Sequence, residues 1–362
     1  MKITLYKILI CLLFVPVLSY SNNGKGKYKK SKTIHKEYSV SSDALLKINN
    51  RYGNVDITSW DENRVVFEIE ITVSGNNEDK VISKLDNINI DFNGNRQEVY
   101  AKTKIGKSKS SNWFSWGSFN NNLNYKINYK VKMPKSNNLN IYNDYGSIYL
   151  NELDGEANIN CDYGKIVIGS LNNKNNTITT DYSNHSTIEF INGGKIDADY
   201  SKFTVGAAKN ILLDADYSTS NFENIESLKF NCDYGSIKVD KANYIEGDGD
   251  YLSMRFGKIY KKIELDADYG SIRIAGMQNN FESVKIDSDY TGIKIGIDTN
   301  AACSIEVDLS YASLNADGDF IFNKKMVKST SKHYKGYHKD QNNNATIQID
   351  SDYGGVKLFE NQ

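Results

Sequence analysis

Paired aspartates are the residues of this chain whose type and spacing could support chemistry. Most of the later repeats contain Asp-x-Asp-Tyr, in which aspartates two residues apart point to the same side of a strand. Carboxylate oxygens are the ligands that Ca²⁺ prefers. The candidate cation ligands are Asp197, Asp199, Asp214, Asp216, Asp248, Asp250, Asp266, Asp268, Asp287 and Asp289.

The same aspartates would form a double column of like charges, and something must offset their repulsion. Two charges about 5 Å apart repel by about 0.8 kcal/mol even in bulk water. Turn hydrogen bonds, nearby lysines or bound Ca²⁺ could each supply the offset. Hydrogen bonds within turns and nearby lysines are our main expectation, and a calcium-dependent structural rod is the alternative.

A basic column follows the tyrosine of the repeat by four residues. It contains Lys238, Arg255, Arg273 and Lys294, and Lys357 continues it. The net charge of -1 therefore conceals opposed acidic and basic faces. We interpret the basic column as a candidate groove for an acidic polysaccharide or another polyanion of the cell envelope. Ordinary solvated charges on a sheet are the alternative.

Catalytic signals are weak in this sequence. Aspartates recur in nearly every repeat, whereas catalysis needs one local cluster of carboxylates and a base. We expect His185 to lie in the core, and His333 and His338, five residues apart, could bind a metal. The sequence predicts a protein that is not an enzyme, with no catalytic residues and no cofactor unless Ca²⁺ binds. A polysaccharide lyase or hydrolase is the alternative.

An Asp-Tyr marker sets the positions of all these residues. The marker tyrosine returns every 17 to 21 residues, and a last copy, Tyr353, follows after a gap of 42. A period of this length predicts one structural unit stacked on itself. The regularly spaced tyrosines are Tyr145, Tyr163, Tyr182, Tyr200, Tyr217, Tyr234, Tyr251, Tyr269, Tyr290 and Tyr311.

Apolar residues alternate with polar ones on both sides of the marker, which predicts two strands per repeat. Isoleucine, leucine or phenylalanine usually stands four residues before the tyrosine, as at Ile196, Leu213 and Phe230. The inward parity changes after the tyrosine, so we expect a following glycine such as Gly235 to take a positive φ. The predicted fold is all-β: a single-stranded parallel β-solenoid, or β-helix, with about 17 to 21 residues per coil.

The N-terminal residues have the form of a secretory signal. The apolar run from Ile8 to Leu18 is too short to span a bilayer, so we expect cleavage and no transmembrane segment afterwards. The predicted location is the periplasm, the outer cell surface or the extracellular space. The predicted segments are a signal peptide over 1–21, a flexible leader over 22–40, an N-terminal cap with the first coil over 41–135, and a repetitive solenoid over 136–362 with an excursion at about 323–345.

Three features within these segments carry expectations of their own. A short amphipathic helix is predicted from Asn77 to Ile88 in the cap. Aromatic residues within 108–122 predict a loop that folds back over the cap, or a tip that contacts membrane or sugar. Cys161 and Cys232 share an inward column four coils apart, too far for a disulfide, and we expect both to be small buried apolar residues.

The chain resembles a bacterial family of putative adhesins of unknown function, which are similar to the head domain of putative auto-transporter adhesins. The resemblance rests on Asn50 to Ile57 with Trp60 and Asp61, on Met133-Pro134-Lys135, and on the Asp-Tyr-Gly-Ser-Ile coils, and it covers about residues 40–360. It implies a β-solenoid and an exported protein without catalytic residues. We therefore expect an adhesin-like or scaffolding protein of the bacterial envelope. Its partner would be an envelope glycan or protein and no nucleic acid.

Overall fold

The computed structural model describes residues 26–106 and 123–361, which contain 26 strands and one helix. The all-β prediction is confirmed. The predicted signal peptide and the aromatic loop lie outside the described residues. None of the described residues forms a helix that is long and apolar enough to cross a membrane. The chain divides into two compact units, one ending at Asn151 and the other beginning at Glu152.

The elements that begin in the first unit are β1 (Tyr28–Ser39), β2 (Leu45–Arg51), β3 (Val55–Trp60), β4 (Arg64–Gly75), α1 (Glu78–Asp86), β5 (Ile88–Gly94), β6 (Glu98–Ile105), β7 (Asn124–Pro134), β8 (Asn138–Asp144) and β9 (Ile148–Leu153). Parallel pairs join β2 to β6 and β8, and β3 to β7 and β9. Antiparallel pairs join β4 to β1 and β7, and β5 to β6. The first regular repeat thus pairs with the N-terminal strands. For this reason the unit ends later than the predicted boundary after residue 135.

The helix α1 lies within the predicted range. Its N-cap is Asn77, whose side chain accepts a hydrogen bond from the backbone amide of Lys80 at 2.9 Å. Val81 and Leu85 are buried, whereas Ile82 is 42% exposed. The apolar face of the helix is therefore narrower than its sequence pattern predicts.

Residues 28–39, expected to belong to a flexible leader, instead form β1. This strand pairs antiparallel with β4 along its whole length, from Tyr28 opposite Gly75 to Ser39 opposite Arg64. The composition was misleading because lysines also protect the exposed edge of a sheet against further pairing. The polar residues of this segment are therefore those of an edge strand.

The second unit contains β10 (Ala157–Asp162), β11 (Ile166–Leu171), β12 (Asn176–Asp181), β13 (Asn184–Asp197), β14 (Lys202–Asp214), β15 (Thr219–Asn231), β16 (Gly235–Asp248), β17 (Leu252–Asp268), β18 (Ser271–Met277), β19 (Ser283–Asp289), β20 (Gly292–Asp298), β21 (Cys303–Ser310), β22 (Leu314–Asp317), β23 (Phe320–Val327), β24 (Ser331–His338), β25 (Thr346–Asp352) and β26 (Val356–Asn361). From β13 to β17 each strand pairs in parallel with the next. Residues at equal distance from the marker become partners, as with Leu213, Phe230 and Gly247.

The predicted inward columns form the core of the second unit. Ile196, Leu213 and Phe230 are at most 3% exposed. Gly247 continues this column because the ring of Phe230 fills the space of a side chain there: an added Cβ would lie 2.0 Å from that ring. The large side chain of Phe230 thus fills the space that the missing side chain of Gly247 leaves, which keeps the core close-packed.

The last repeats are interleaved, so their spatial order differs from their chain order. The strand β25 pairs in parallel with both β19 and β21, and β26 pairs with both β20 and β22. The intervening β23 and β24 form an antiparallel hairpin, and β24 pairs antiparallel with β21. This hairpin lies at the predicted excursion and covers the open edge of β21.

Candidate functional site

The marker tyrosine occupies a left-handed backbone position in every repeat of the second unit. Its φ ranges from +50° at Tyr200 to +54° at Tyr353. This conformation is unfavourable by about 1 to 2 kcal/mol for a residue with a Cβ. We expected the following glycine to take the positive φ, and this was wrong: Gly235 and Gly354 do not have one. The tyrosine itself makes the corner.

Glycine follows the tyrosine for a different reason, which is close contact with the neighbouring repeat. A Cβ on Gly235 would lie 2.2 Å from the carbonyl oxygen of Ser218, and one on Gly354 would lie 2.1 Å from that of Thr291. Contacts this short are not tolerated between a side chain and a backbone. The position therefore requires glycine wherever two corners stack this closely.

Serine or threonine stands at this position in other repeats and links neighbouring repeats through its hydroxyl. The buried Oγ of Ser201 accepts a hydrogen bond from the amide of Ser183 at 3.0 Å. It also donates toward the carbonyl oxygens of Thr180 and Asp199, 2.9 and 2.8 Å away. The hydroxyl thereby satisfies buried backbone groups of more than one repeat, which is a structural role.

The marker aspartate also connects repeats. Oδ1 of Asp199 accepts a hydrogen bond from the amide of Asp216 at 3.1 Å, and Asp216 and Asp233 repeat this contact with the next marker at 2.9 Å. We expected a turn within the same repeat. The carboxylate accepts a hydrogen bond as expected, but the donor is a backbone amide of the next repeat. One oxygen of each of these carboxylates is therefore committed to the fold.

The marker tyrosines stack on one another. From Tyr163 to Tyr290 consecutive ring centroids are 4.9 to 5.0 Å apart, except 4.8 Å between Tyr234 and Tyr251, and the rings are parallel to within 8°. Tyr353 lies between Tyr290 and Tyr311, at 4.7 and 5.0 Å. Because ring faces cover each other, the half-exposed tyrosines present edges and hydroxyl groups to solvent.

The second aspartate of the motif forms an uninterrupted column at one end of the unit, which we call the acidic ladder. Its members in spatial order are Asp248, Asp266, Asp287, Asp350 and Asp308. Partial burial, together with the neighbouring carboxylates, raises the pKa of Asp266 and of Asp350 above the usual range. At the other end, Lys195 bridges Asp197 and Asp214 at 3.0 and 3.5 Å. The repulsion is thus offset by lysine at one end and persists along the acidic ladder.

Three potential metal ligands converge at one place in the described part of the chain. Oxygens of Glu306 and Asp308 and a ring nitrogen of His333 lie within 4.8 Å of one another. Nδ1 of His333 is 2.7 Å from Asp308, and the ammonium of Lys335 is 3.3 Å from Glu306. Ordinary hydrogen bonds and an ion pair account for all three side chains.

The second histidine of the predicted metal pair has a structural role instead. His338 is completely buried, with Nδ1 2.6 Å from the carbonyl oxygen of Ala301 and Nε2 2.9 Å from a carboxylate oxygen of Glu360. Residues five apart point to opposite faces of a strand, so His338 does not join His333. Its contacts hold β24 against the end of β26.

The expectation that His185 lies in the core is wrong. The side chain is exposed, and its φ is +63°. The pairing of β13 with β14 shifts by one residue between Asn184 and Ser186, so Ser186 takes the inward position. A β-bulge of this kind inserts one residue and turns a side chain to the other face.

The basic residues form one column across adjacent strands, which we call the basic ladder. Its members are Lys238, Arg255, Arg273, Lys294 and Lys357, and each is paired in register with the next. Lys238 has an ion pair with Asp240 at 2.8 Å. Among the described residues, the other four form no salt bridge. They are exposed or half-buried, so four cationic side chains that have no ion pair with any described residue stand on adjacent strands, which are about 4.8 Å apart.

A shallow groove of about 540 Å³ runs along the basic ladder. It crosses β17, β18, β20, β26 and β22, and residues two positions after the marker form part of its floor. These are Ser271, Gly292, Gly355 and Ser313. A second cavity of about 460 Å³ shares Gly355 and Ser313 with it and reaches Tyr311 and Tyr353. The groove therefore connects the basic ladder with the end of the tyrosine stack.

The three cysteines among the described residues, Cys161, Cys232 and Cys303, are buried and free, which confirms the expectation for Cys161 and Cys232. Burial raises the pKa of the thiols of Cys232 and Cys303 to about 12. Both remain protonated at neutral pH, and a protonated thiol is a poor nucleophile or metal ligand. These thiols therefore belong to the core.

No family model and no curated protein matches this chain. Among solved structures, it is similar to a putative cell adhesion protein from Clostridium sporogenes, at 10% identity and a TM-score of 0.21 over 92% of this chain and all of the other. Putative adhesins from Parabacteroides distasonis and Parabacteroides merdae match at 11% and 13% identity, both with a TM-score of 0.33, over 75% and 76% of this chain and 95% of each of theirs. Their descriptions agree with the family that the sequence resembles. At these scores the likeness carries no argument about site or ligand.

Proposed function

We propose that this chain is an exported, non-enzymatic, adhesin-like protein of the bacterial envelope that binds a polyanionic envelope component through its basic ladder. The observation that carries the proposal is a row of four cations that have no carboxylate partner in the described part of the chain, Arg255, Arg273, Lys294 and Lys357. The resemblance of the N-terminal residues to a secretory signal supports export.

The energetics favour a ligand at this row. Each neighbouring pair of charges about 4.8 Å apart repels by about 0.9 kcal/mol in bulk water. Some lysines elsewhere on the unit have a carboxylate partner, as Lys229 has in Glu246 at 2.7 Å and Lys285 in Glu264 at 3.1 Å. A polyanion along the basic ladder would reduce this repulsion, and it would gain charge-assisted hydrogen bonds from two arginines.

The scaffold that we propose for this surface is a β-solenoid. The supporting observations are the parallel pairing of equivalent strands and the corner at each marker tyrosine, which repeat along the second unit. Such a stack holds equivalent side chains in straight columns at the strand spacing. The basic ladder is one of these columns, so its geometry follows from the repeat itself.

The absence of an enzymatic role is part of the proposal, and the use of the titratable groups supports it. Marker aspartates hydrogen-bond to the next repeat, His338 is held between two acceptors, and the thiol pKa values are raised. These groups are engaged in holding the fold, whereas general acid-base catalysis needs a group facing the substrate.

Binding to immobilised polygalacturonate and to envelope fractions tests the proposal. The test variant carries glutamine at Arg255, Arg273, Lys294 and Lys357. The matched control carries glutamine at lysines that already have a glutamate partner, which gives the same net charge: Lys229, Lys262, Lys285 and Lys335.

We expect the test variant to lose affinity by about tenfold or more, equivalent to about 1.4 kcal/mol, and the control to bind like the wild type. Binding should also weaken as salt screens the charges. Equal binding by both variants would contradict the proposal. Shortening of the polymer during incubation would instead favour the lyase or hydrolase alternative.

A further inference from the structure

We propose that the groove along the basic ladder binds a linear acidic polysaccharide that lies across the strands, with one sugar residue per strand. This inference rests on the proposed function, because it assigns a ligand class and a direction to the same basic ladder. It goes further by naming the residues that separate a shaped site from a merely charged surface.

The groove itself indicates the direction of the ligand. It crosses five adjacent strands in the spatial order β17, β18, β20, β26 and β22. Four of these strands contribute one cation each, from Arg255 to Lys357, and Asn315 of β22 continues the row. Four steps of about 4.8 Å give a run of about 19 Å at right angles to the strands. An extended chain fits such a run, and a compact anion would contact only part of it.

The floor of the groove leaves room for the body of a sugar ring. A Cβ added to Gly292 or to Gly355 would meet no atom within 4 Å, so the space above both glycines is open. This contrasts with Gly354, where an added Cβ would collide with the backbone carbonyl of Thr291 in the neighbouring repeat. Gly292 and Gly355 are therefore not required by the packing of the fold, and their small size shapes the surface.

The spacing of the cations suits a polyuronate. The distance between strands, about 4.8 Å, is close to the length of one pyranose residue, so successive sugars can meet successive cations. Arginine binds a carboxylate in a planar two-point geometry, which Arg255 and Arg273 could supply. Successive residues of such a polymer turn their carboxylates to different sides, and those turned away would leave hydroxyls on the Ser and Gly floor.

The second cavity favours a glycan over an inorganic polyanion. It extends the groove toward Tyr353, whose ring is stacked on both faces, and toward Tyr311, the last ring of the stack, which is 62% exposed. Phenol hydroxyls both donate and accept hydrogen bonds, as sugar hydroxyls require. A polyphosphate chain has no donors to match them. The polar end of the groove thus recognises uncharged parts of the ligand.

Oligogalacturonates of increasing length provide the first test, with the full wild-type chain and calorimetric titration. We expect the affinity to rise with each added residue up to about five residues, which is the number of strands that the groove crosses, and then to level off. An affinity that is constant with length, or that keeps rising in proportion to total charge well beyond this length, would overturn the inference.

The second test fills the groove without changing its charge. Leucine at Gly292 and Gly355 should lower the affinity for a hexagalacturonate by about tenfold, whereas alanine at the same positions should bind nearly as well as the wild type. Thermal unfolding identifies any loss of folding in the leucine variant. The length series needs no substitution, so it decides the matter if that variant is unstable.

The outcomes separate this inference from the proposed function. The leucine variant could bind like the wild type while the variant with glutamine at the four cations of the basic ladder loses affinity. In that case the basic ladder acts as a diffuse charged surface, and only this inference fails. If the glutamine variant also binds like the wild type, both this inference and the proposed function fail. Polyphosphate or single-stranded nucleic acid that binds as tightly as the oligogalacturonate, at equal charge, would exclude the glycan class.

Discussion

Each marker tyrosine combines an unfavourable backbone conformation with a favourable ring contact. The left-handed position is unfavourable by about 1 to 2 kcal/mol for a residue with a Cβ. Stacking on two neighbours, as for Tyr234 at 4.9 and 4.8 Å, returns about 0.5 to 1.5 kcal/mol per ring pair. Tyrosine is therefore selected at the corner for its ring, and the next residue for its small size or its hydroxyl.

Replacing Tyr234 by alanine and by glycine should separate these two effects. Both variants lose the stacking, but only alanine keeps the penalty of the positive φ. We expect Tyr234→Ala to be less stable than Tyr234→Gly by up to about 1 kcal/mol, after the greater chain entropy of glycine is allowed for. Urea unfolding measures the difference. An alanine variant more stable than the glycine variant would show that the corner is not strained.

The sequence pattern could not assign the positive φ at this corner. Glycine is the usual residue for that conformation, and Tyr234-Gly235 contains one. Only the distance to the carbonyl of Ser218 shows that Gly235 is needed for space. The bulge at His185 had a signal that could have been used: its repeat is 18 residues long, whereas several others have 17 and pair without a shift.

At the scale of the strands, the columns are what sequence reasoning predicts best. Inward columns followed from the period of two, and the basic ladder from its constant distance to the tyrosine. A groove at the basic column was predicted, but not the open space above Gly292 and Gly355 that shapes it, because glycine at an outward position gives no recognisable sequence pattern. The edge strand β1 was missed since its lysines resemble those of a disordered segment.

The acidic ladder predicts a dependence of stability on pH. The pKa of Asp266 is raised by partial burial and by Asp248 and Asp287. A carboxyl whose folded pKa is raised destabilises the fold when it is ionised. This destabilisation is present at neutral pH, decreases as the pH falls through the folded pKa, and is gone below the unfolded pKa of about 3.9. Asn231 already stands in this column of aspartates, between Asp214 and Asp248.

We therefore expect Asp266→Asn to stabilise the chain at pH 7 by about 0.2 to 1 kcal/mol, the range of cross-strand pairs, and to have no effect below about pH 3.9. Thermal unfolding with EDTA across this pH range measures the effect. If the column binds Ca²⁺ instead, added Ca²⁺ should raise the melting temperature of the wild type, and the variant should lose that increase.

For the molecule as a whole, the sequence repeat predicts that the repeats stack, but it does not predict the order in which they stack. Asp287, Asp350 and Asp308 are partners in one column, although the chain reaches them in the order Asp287, Asp308, Asp350. Because each repeat presents the same inward pattern, any repeat could pair with any other. Only the gap of 42 residues before Tyr353 indicated that the last copy is unusual.

This interleaving has a consequence for how the molecule assembles during synthesis. The strands β19 to β22 leave the ribosome before β25 and β26, and β21 can meet β19 in the same register that β25 occupies in the finished molecule. In a nascent chain β21 can therefore pair with β19 before β25 is made. A chain that has done so must separate these two strands again before β25 and β26 can insert. Contacts between distant parts of a chain already form slowly, because loop closure precedes any gain in stability.

We expect refolding of the full chain to show a slow phase that is absent from a variant ending at residue 345. Fluorescence of the stacked tyrosines, followed after dilution from urea, measures both. In the finished molecule β25 and β26 are each paired on both sides, so we expect them to detach slowly and unfolding to begin in another part of the chain. Identical refolding rates for the two chains would show that the place for the last strands stays open until they arrive.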